Sequence, residues 1–370
     1  MIDADELAAW LRLLLVPGLG REGARRLLAA FGSPQAVIQA TEQALATIAG
    51  ERLASVVLTE PPDLPAALDA VRRWLDGGES RHLLTLGDAA YPRALLESPD
   101  PPLLLYLQGD PAHLSAPAIA VVGSRQPTRQ GADNAHAFAH AFGAAGYAVV
   151  SGLALGVDGA AHEGALASGA PTIAVVGTGL DRVYPKRHLD LARRIARQGA
   201  LVSEFLPGTP PLPENFPQRN RIIAGLSLGT VVVEAALRSG SLITARLANE
   251  AGREVFAVPG SIHAEQSRGC HALIRDGARL VESAAEVLDE LRQPGLALAA
   301  PAAAAPDDMP ADAPPDALLD ALGHDPVTLD SLQARTGWPT AELLTRLLDL
   351  ELDGRVARLP GGLYQRRASA

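Results

Sequence analysis

Lysine and cysteine are nearly absent from this 370-residue chain, in which Lys186 and Cys270 are the single members of their types. One cysteine cannot form an internal disulfide, which predicts a reducing compartment, and it leaves no cysteine-based zinc site to expect. The formal net charge of −10 argues against a protein that coats nucleic acid through its overall charge. A focused basic groove stays possible, because a local field depends on where the charges sit.

Long apolar runs are also missing, since no stretch of about 18 residues is free of charges and helix breakers. The first five residues carry aspartates and no basic residue, which argues against a secretory signal. We therefore expect a cytoplasmic protein with no membrane segment. Its length and its 48% hydrophobic content allow two or three domains.

Residues 1–85 have the apolar spacing of helices, and we expect them to form an all-helical domain. Within them, Val16-Pro-Gly-Leu-Gly20 joins two predicted helices and resembles the hairpin of a helix-hairpin-helix or SAM-like domain. Such a turn can present backbone amides to DNA phosphate, here supported by Arg21, Arg25 and Arg26. The alternative is a hairpin that serves only packing.

Residues 86–292 alternate short apolar strands with segments of helical period, which predicts a Rossmann-like, doubly wound, mostly parallel sheet. A proline-rich lead-in contains one short strand, Leu103–Leu107. The strands expected after it are Ala118–Val122, Tyr147–Val150, Thr172–Val176, Ala200–Ser203, Thr230–Val233, Val255–Val258 and Arg279–Val281. In such sheets ligands bind beyond the carboxyl ends of the strands.

Two nucleotide motifs are missing from the places where they would be needed. Gly-x-Gly-x-x-Gly does not follow the strand Ala118–Val122, which disfavours a nicotinamide dehydrogenase. The P-loop pattern is absent as well, which disfavours a P-loop ATPase. We therefore expect no cofactor and no metal.

Residues 293–315 are rich in alanine, proline and aspartate without periodicity and predict a flexible linker. Residues 316–370 predict a winged-helix module. Its elements are the helices Asp316–Leu322, Leu329–Thr336 and Thr340–Leu352, followed by a hairpin of Val356–Leu359 and Leu363–Gln365. Its third helix is acidic, which favours protein contact or regulation, while basic residues of the wing keep DNA binding open.

The first anion site is expected after the strand Ala118–Val122, where Gly123, Ser124 and Arg125 precede a helix opened by Pro127 and Thr128. A glycine permits close approach, a helix start offers free N–H groups, and arginine adds charge. After the next strand, Asp158 and His162 lie four residues apart on one helical face. They are candidates either for acid–base chemistry or for a loop that Asp158 caps while it holds His162.

Further polar clusters follow the later strands. One supplies Tyr184, Lys186 and His188, and Tyr184 and Phe216 are candidates for base stacking. The others are expected to bind phosphate through Arg219, Asn220, Arg221, Ser239, Gly240 and Ser241. Several anion sites along one sheet edge suit a linear polyphosphate better than a single phosphate.

These motifs together resemble the DprA/Smf family of DNA-processing proteins. The similarity rests on Val122–Arg125, Ser151–Asp158 with His162, Gly177–Asp181 with Tyr184-Pro185, Phe216–Ser227, Val231–Ala235, Ser239–Ala245 and Val258–Gly260. The resemblance implies a non-enzymatic homodimer that binds single-stranded DNA, shields it from single-strand binding protein and nucleases, and loads RecA during natural transformation. It also implies phosphate contacts at Gly123, Ser124, Arg125, Arg219, Asn220 and Arg221, and at Lys186. Many members read Tyr-Pro-x-x-Asn, where this chain has His188.

Two other functions are considered. Gly229 to Glu234 loosely resembles the pattern of Rossmann-like nucleotide phosphoribohydrolases, with Glu234 as the catalytic acid, although their Pro-Gly-Gly lead is missing. The chain could instead be a scaffold that acts only through its winged helix.

Overall fold

The computed structural model describes residues 2–292, 317–323, 326–359 and 361–367. The N-terminal part is helical, as expected. Asp3 caps its first helix by accepting the N–H groups of Asp5 and Glu6. Its helices are α1 (Ala4–Leu15), α2 (Gly20–Phe31), α3 (Pro34–Gln39), α4 (Glu42–Ala49), α5 (Glu51–Leu58) and α6 (Leu64–Asp76).

Nine strands of residues 2–292 form one sheet in the order β1-β2-β6-β5-β4-β3-β7-β8-β9. The pairs from β6 to β9 are parallel, while β1 and β2 add an antiparallel edge. The strands are β1 (Arg81–Thr85), β2 (Leu104–Gly109), β3 (Ala118–Val122), β4 (Ala148–Ser151), β5 (Thr172–Val175), β6 (Ala200–Ser203), β7 (Gly229–Val232), β8 (Glu254–Ala257) and β9 (Arg279–Leu280). The mostly parallel, doubly wound prediction is confirmed.

Strand β1 differs from the sequence expectation, which made residues 1–85 entirely helical. The helices of this part end at Asp76, and Arg81–Thr85 pairs with β2 instead. Five residues carry too little periodicity to reveal a strand whose partner lies about twenty residues further along.

Side chains of the central strands alternate between two buried layers, as the two-residue period of a strand requires. Ile119 and Val121 pack under Phe138 and Phe142 on one face, and Val122 packs with Ile222 on the other. The helices of this part are α7 (Arg93–Leu96), α8 (Arg129–Ala144), α9 (Val157–Ala167), α10 (Leu189–Gln198), α11 (Asn215–Leu226), α12 (Ser241–Glu250), α13 (Arg268–Arg275) and α14 (Ala284–Leu291).

The C-terminal part is the predicted winged helix, with its own buried core that includes Leu332, Leu343 and Leu347. Its elements are α15 (Ala317–Leu322), β10 (Val327–Thr328), α16 (Leu329–Thr336), α17 (Thr340–Leu352), β11 (Val356–Leu359) and β12 (Leu363–Arg366). Strand β12 lies between β10 and β11. The expected linker, 293–315, and the first residue of the expected first helix, Asp316, fall outside the described residues.

No helix in the described ranges combines the length and the hydrophobicity that crossing a lipid bilayer requires.

Candidate nucleic-acid groove

A groove of about 790 Å³ lies where β3, β4 and β7 end. Strands β3 to β6 extend the sheet in one direction and β7 to β9 in the other, so the groove lies at the reversal of strand order. That reversal is where doubly wound sheets place their ligands. The predicted site residues that line the groove are Gly123, Ser124, Arg125, Asp158, Tyr184, Phe216, Arg219, Asn220, Ser239, Gly240 and Ser241.

The loop after β3 is shaped by close packing. A Cβ at Gly123 would lie 2.8 Å from both the Glu234 carbonyl oxygen and a Val157 methyl group, so only glycine fits. The Ser124 carbonyl accepts the Val157 N–H at 3.1 Å, and its hydroxyl accepts the Gln126 N–H at 3.1 Å. These bonds fix the loop and leave the Arg125 side chain exposed in the groove.

Arg125 and two aromatic rings form a cluster on the groove wall. The guanidinium carbon of Arg125 lies 5.7 Å from the centre of the Phe216 ring, within the range of a cation–π contact. The Tyr184 and Phe216 rings lie 5.7 Å apart at 40°, and Tyr184 is 47% exposed. In such a cluster the cationic group can bind a backbone phosphate while the accessible rings stack on the neighbouring bases.

Helix α11 turns one face to the groove. Phe216, Arg219, Asn220 and Ile223 all line it, with the i, i+3, i+4, i+7 spacing of one helical face. Arg219 is 5% exposed and donates from Nη1 to the Val175 carbonyl at 2.7 Å. Burial lowers its pKa to about 10, against the opposing effect of Asp158, so the group stays cationic at neutral pH.

Arg221 is not part of the groove, contrary to the sequence prediction. It lies two residues from Arg219, a spacing that puts it on another face of α11. There it pairs with Glu204 and, from Nε, with Asp100 at 3.0 Å. Its charge is used inside the fold, and we do not retain it as a phosphate contact.

The Ser239–Ser241 turn reaches the groove with less free backbone than expected. The Ser239 N–H donates to the Ala236 carbonyl and the Ser241 N–H to the Ser239 hydroxyl at 3.3 Å, and the two serine hydroxyls lie 2.7 Å apart. The turn therefore offers mainly hydroxyl groups. The neighbouring Arg238 is exposed, lines the groove, and was missed by the sequence reasoning. Its position directly before Ser239, after strand β7, could have indicated it from the sequence.

Asp158 and His162 do not form a pair. Asp158 accepts the N–H groups of Gly152 and Ala154, at 3.1 and 3.2 Å, and so orders the loop after β4. Burial raises the Asp158 pKa, an effect that Arg219 opposes. The expected bond from Asp158 to His162 is absent in the described residues, and the acid–base alternative loses its geometry as well.

His162 lies in the core and is fully buried. Its Nδ1 is 2.7 Å from Thr172 Oγ1, which itself donates to the Val149 carbonyl at 2.8 Å. The Thr172 hydroxyl therefore accepts from His162, which places a proton on Nδ1. Burial lowers its pKa to about 3, with the nearby charges of His188 and Arg219 adding to the shift.

The N–H groups at the start of α8 are partly hydrogen-bonded by side chains of the protein itself. The Glu234 carboxylate accepts the Thr128 N–H at 2.9 Å and the Thr128 hydroxyl at 2.6 Å, while Thr128 Oγ1 accepts the Gly131 N–H. The free N–H groups expected there for an anion are thus partly used. Glu234 does not line the groove, and its carboxylate is engaged by Thr128, which favours a capping role over that of a catalytic acid.

The arginines of the N-terminal hairpin are engaged by other groups of the protein. Arg21 and Arg25 pair with Asp100, and Arg26 donates to the Ile48 carbonyl at 2.8 Å. Arg21 further donates to Gln218 of α11 at 3.3 Å. These contacts favour the packing alternative over a DNA-binding hairpin.

Lys186 and His188 lie on a single 3-10 turn that follows Tyr184-Pro185. Lys186 is exposed and does not line the groove. His188 Nδ1 lies 2.9 Å from the carbonyl of Leu153, a residue with φ of 59°. His188, which stands where many family members have asparagine, therefore supports the loop after β4.

The fold and the groove define an α/β protein with an arginine-lined, aromatic cleft at the strand reversal and an appended winged helix. Residues 82–292 match the family model for DNA recombination-mediator protein A, and residues 299–362 match that for the DprA winged helix domain. The chain belongs to the DprA/Smf family.

Named relatives agree with this assignment. Protein Smf of Escherichia coli is 44% identical over 299 residues, which are 80% of this chain and 79% of that protein. DNA processing protein DprA of Streptococcus pneumoniae is 49% identical over 203 residues, 55% of this chain and 72% of that protein.

Solved structures agree as well. The X-ray structure of the S. pneumoniae protein has a TM-score of 0.68 at 38% identity, covering 79% of this chain and 99% of that one. The structure of Helicobacter pylori DNA processing protein A, which concerns the single-stranded DNA binding mode of that protein, has a TM-score of 0.52 at 32% identity. It covers 57% of this chain and 95% of that one.

Proposed function

We propose that the groove binds single-stranded DNA without sequence preference. The observation that carries this proposal is the cluster of Arg125, Phe216 and Tyr184 at the strand reversal. Arginine would neutralise the backbone and the rings would stack on bases, which are accessible in a single strand but paired and stacked in a duplex. The binding mode named for the H. pylori relative supports the same ligand.

The predicted phosphate-binding residues contribute in different ways in this proposal. Arg125 and Arg238 are the exposed cations of the groove, and Arg219 adds positive potential from its floor. We propose that Gly123, Ser124, Asn220, Ser239, Gly240 and Ser241 shape the backbone path or donate to phosphate oxygens. Lys186 would contact DNA only where a strand leaves the groove past Tyr184.

The test is fluorescence anisotropy of labelled poly-dT over a salt series, with wild type, Arg125→Ala and the control Arg129→Ala. Arg129 is exposed, pairs with Asp133 and lies outside the groove lining. We expect Arg125→Ala to weaken binding about tenfold and to reduce the log–log salt slope by about 0.7, the value for one phosphate on a single strand. Arg129→Ala should match wild type. An unchanged curve for folded Arg125→Ala would reject the groove as the DNA site.

We propose further that the bound strand is passed to RecA, with protection from nucleases and from single-strand binding protein, and that the protein acts as a homodimer in natural transformation. The family's description as recombination mediators supports this step. RecA ATPase activity on DNA coated with single-strand binding protein would test it. We expect stimulation by wild type and little by Arg125→Ala, whereas equal stimulation by both would contradict a handover from the groove.

A further inference from the structure

Helix α17 of the winged helix carries two separate apolar faces. Leu343, Leu347 and Leu350 are buried in the core of the module. Leu344, Leu348 and Leu352 lie at i, i+4 and i+8 and are 44%, 55% and 78% exposed. At 1.5 Å rise per residue, the three exposed leucines form one line with steps of about 6 Å along the helix surface.

The exposed leucine line is bordered by negative charge. Glu351 lies three residues after Leu348 and Asp349 three residues before Leu352, so both exposed carboxylates are neighbours of the line on the helix surface. Asp353 follows the helix directly, and Arg346 is the helix's single basic residue. DNA-binding winged helices use this third helix to approach the phosphate-rich major groove. Carboxylates at that position repel phosphate, so the leucine line is not suited to a DNA backbone.

We propose that this face of α17 binds an amphipathic helix of a partner protein, one with a leucine-type stripe flanked by arginine or lysine. Anchors spaced one helical turn apart fit the ridge of a second helix, as in other helix-recognition surfaces. Basic flanks would meet Asp349 and Glu351 and set the orientation. A second copy of this chain would bring the same acidic borders together, which disfavours self-association through this face. The proposal goes beyond DNA binding in the groove.

The test uses the full chain and two model helical peptides, one of leucine and lysine and one of leucine and glutamate with the same apolar stripe. Binding is measured by anisotropy of the labelled peptides. We expect the basic peptide to bind at least tenfold more tightly than the acidic one. Leu344→Ser/Leu348→Ser should weaken that binding at least tenfold. Leu96→Ser, which changes a 48% exposed leucine on α7, should leave it unchanged.

A charge-reversed variant, Asp349→Lys/Glu351→Lys, guards against a leucine variant that fails to fold, because it alters only exposed groups. It should reverse the peptide preference. Equal binding of both peptides, or binding unaffected by either variant, would overturn the proposal. So would loss of self-association in the leucine variant by sedimentation velocity, which would assign the face to a second copy. Loss of duplex DNA binding in that variant would assign the face to DNA.

Discussion

At the scale of single residues, the arginines fall into two groups: some are exposed in the groove, and others form ion pairs within the fold. Arg125 and Arg238 are exposed along the groove, whereas Arg21, Arg25 and Arg221 pair with Asp100. The same residue type therefore has opposite roles within one molecule. Partnering and exposure, rather than arginine content, distinguish the cations that the groove exposes from those paired within the fold.

Arg238→Ala tests whether the second exposed cation contributes as Arg125 does. We expect the salt slope for poly-dT to fall by about 0.7, with an affinity loss of several-fold, because one phosphate contact is removed. The matched control is Arg246→Ala on α12, which is exposed and pairs with Glu250. A slope equal to that of wild type would show that DNA does not pass Arg238.

His162 gives the fold a specific sensitivity to acid. Its folded pKa of about 3 lies below the unfolded value of 6.5, so between these values the unfolded chain binds a proton that the folded chain does not. The associated stability is present above pH 6.5 and falls by about 1.4 kcal/mol per pH unit below it. Urea unfolding between pH 7.5 and pH 5 should show a steeper loss for wild type than for His162→Gln. Parallel pH curves would contradict a neutral buried imidazole.

At the scale of elements, the start of α8 is held by Thr128 and Glu234 from two neighbouring strand ends. Removing the charge in Glu234→Gln should lower the free energy of unfolding by about 1 kcal/mol, since a carboxylate at a helix start is favourable. The control Glu250→Gln, at the exposed end of α12, should change it by less than about 0.5 kcal/mol.

The same variant separates capping from catalysis. With Glu234 as a cap, nucleoside monophosphates should release no free base with either wild type or Glu234→Gln. Release by wild type that disappears in Glu234→Gln would instead support the phosphoribohydrolase alternative.

How far the sequence predicts these elements depends on how local their signals are. β3 is visible because five consecutive apolar residues end at Gly123, and α17 because its leucines keep helical spacing. β1 and the two-residue β10 are defined by partners distant in sequence, so composition does not reveal them. In the candidate site, helical spacing within α11 could have separated Arg221 from Arg219. The contact of Glu234 with Thr128 spans 106 residues and required the tertiary structure.

At the scale of the whole molecule, α11 links the groove to the N-terminal helices. Its groove face carries Phe216 and Arg219, while its other side bonds Arg21 through Gln218 and Asp100 through Arg221. The helical part therefore braces the helix that forms one groove wall. This gives the N-terminal hairpin a structural role that needs no contact with DNA.

The winged helix, in contrast, has its own core, and none of its described residues lines the groove, whose members all lie between Val122 and Thr244. It meets α8 at Gln365–Gln130, 3.0 Å, and at Arg367–Asp133, 4.0 Å, away from the Arg125 cluster. Deleting residues 293–370 should therefore keep poly-dT affinity within about twofold and leave the salt slope unchanged, because no phosphate contact is lost.

The intact chain at the same salt concentrations is the control for that deletion. If the protein is a scaffold that works only through its winged helix, the shortened chain would also bind DNA. The poly-dT measurement must therefore be accompanied by the RecA ATPase assay on DNA coated with single-strand binding protein. If the groove hands the strand over directly, the shortened chain should still stimulate RecA. If the leucine face of α17 recruits the partner that carries out the handover, stimulation should fall while poly-dT binding persists. A loss of poly-dT affinity itself would place part of the DNA path on the winged helix, and the groove would then be only one segment of the binding surface.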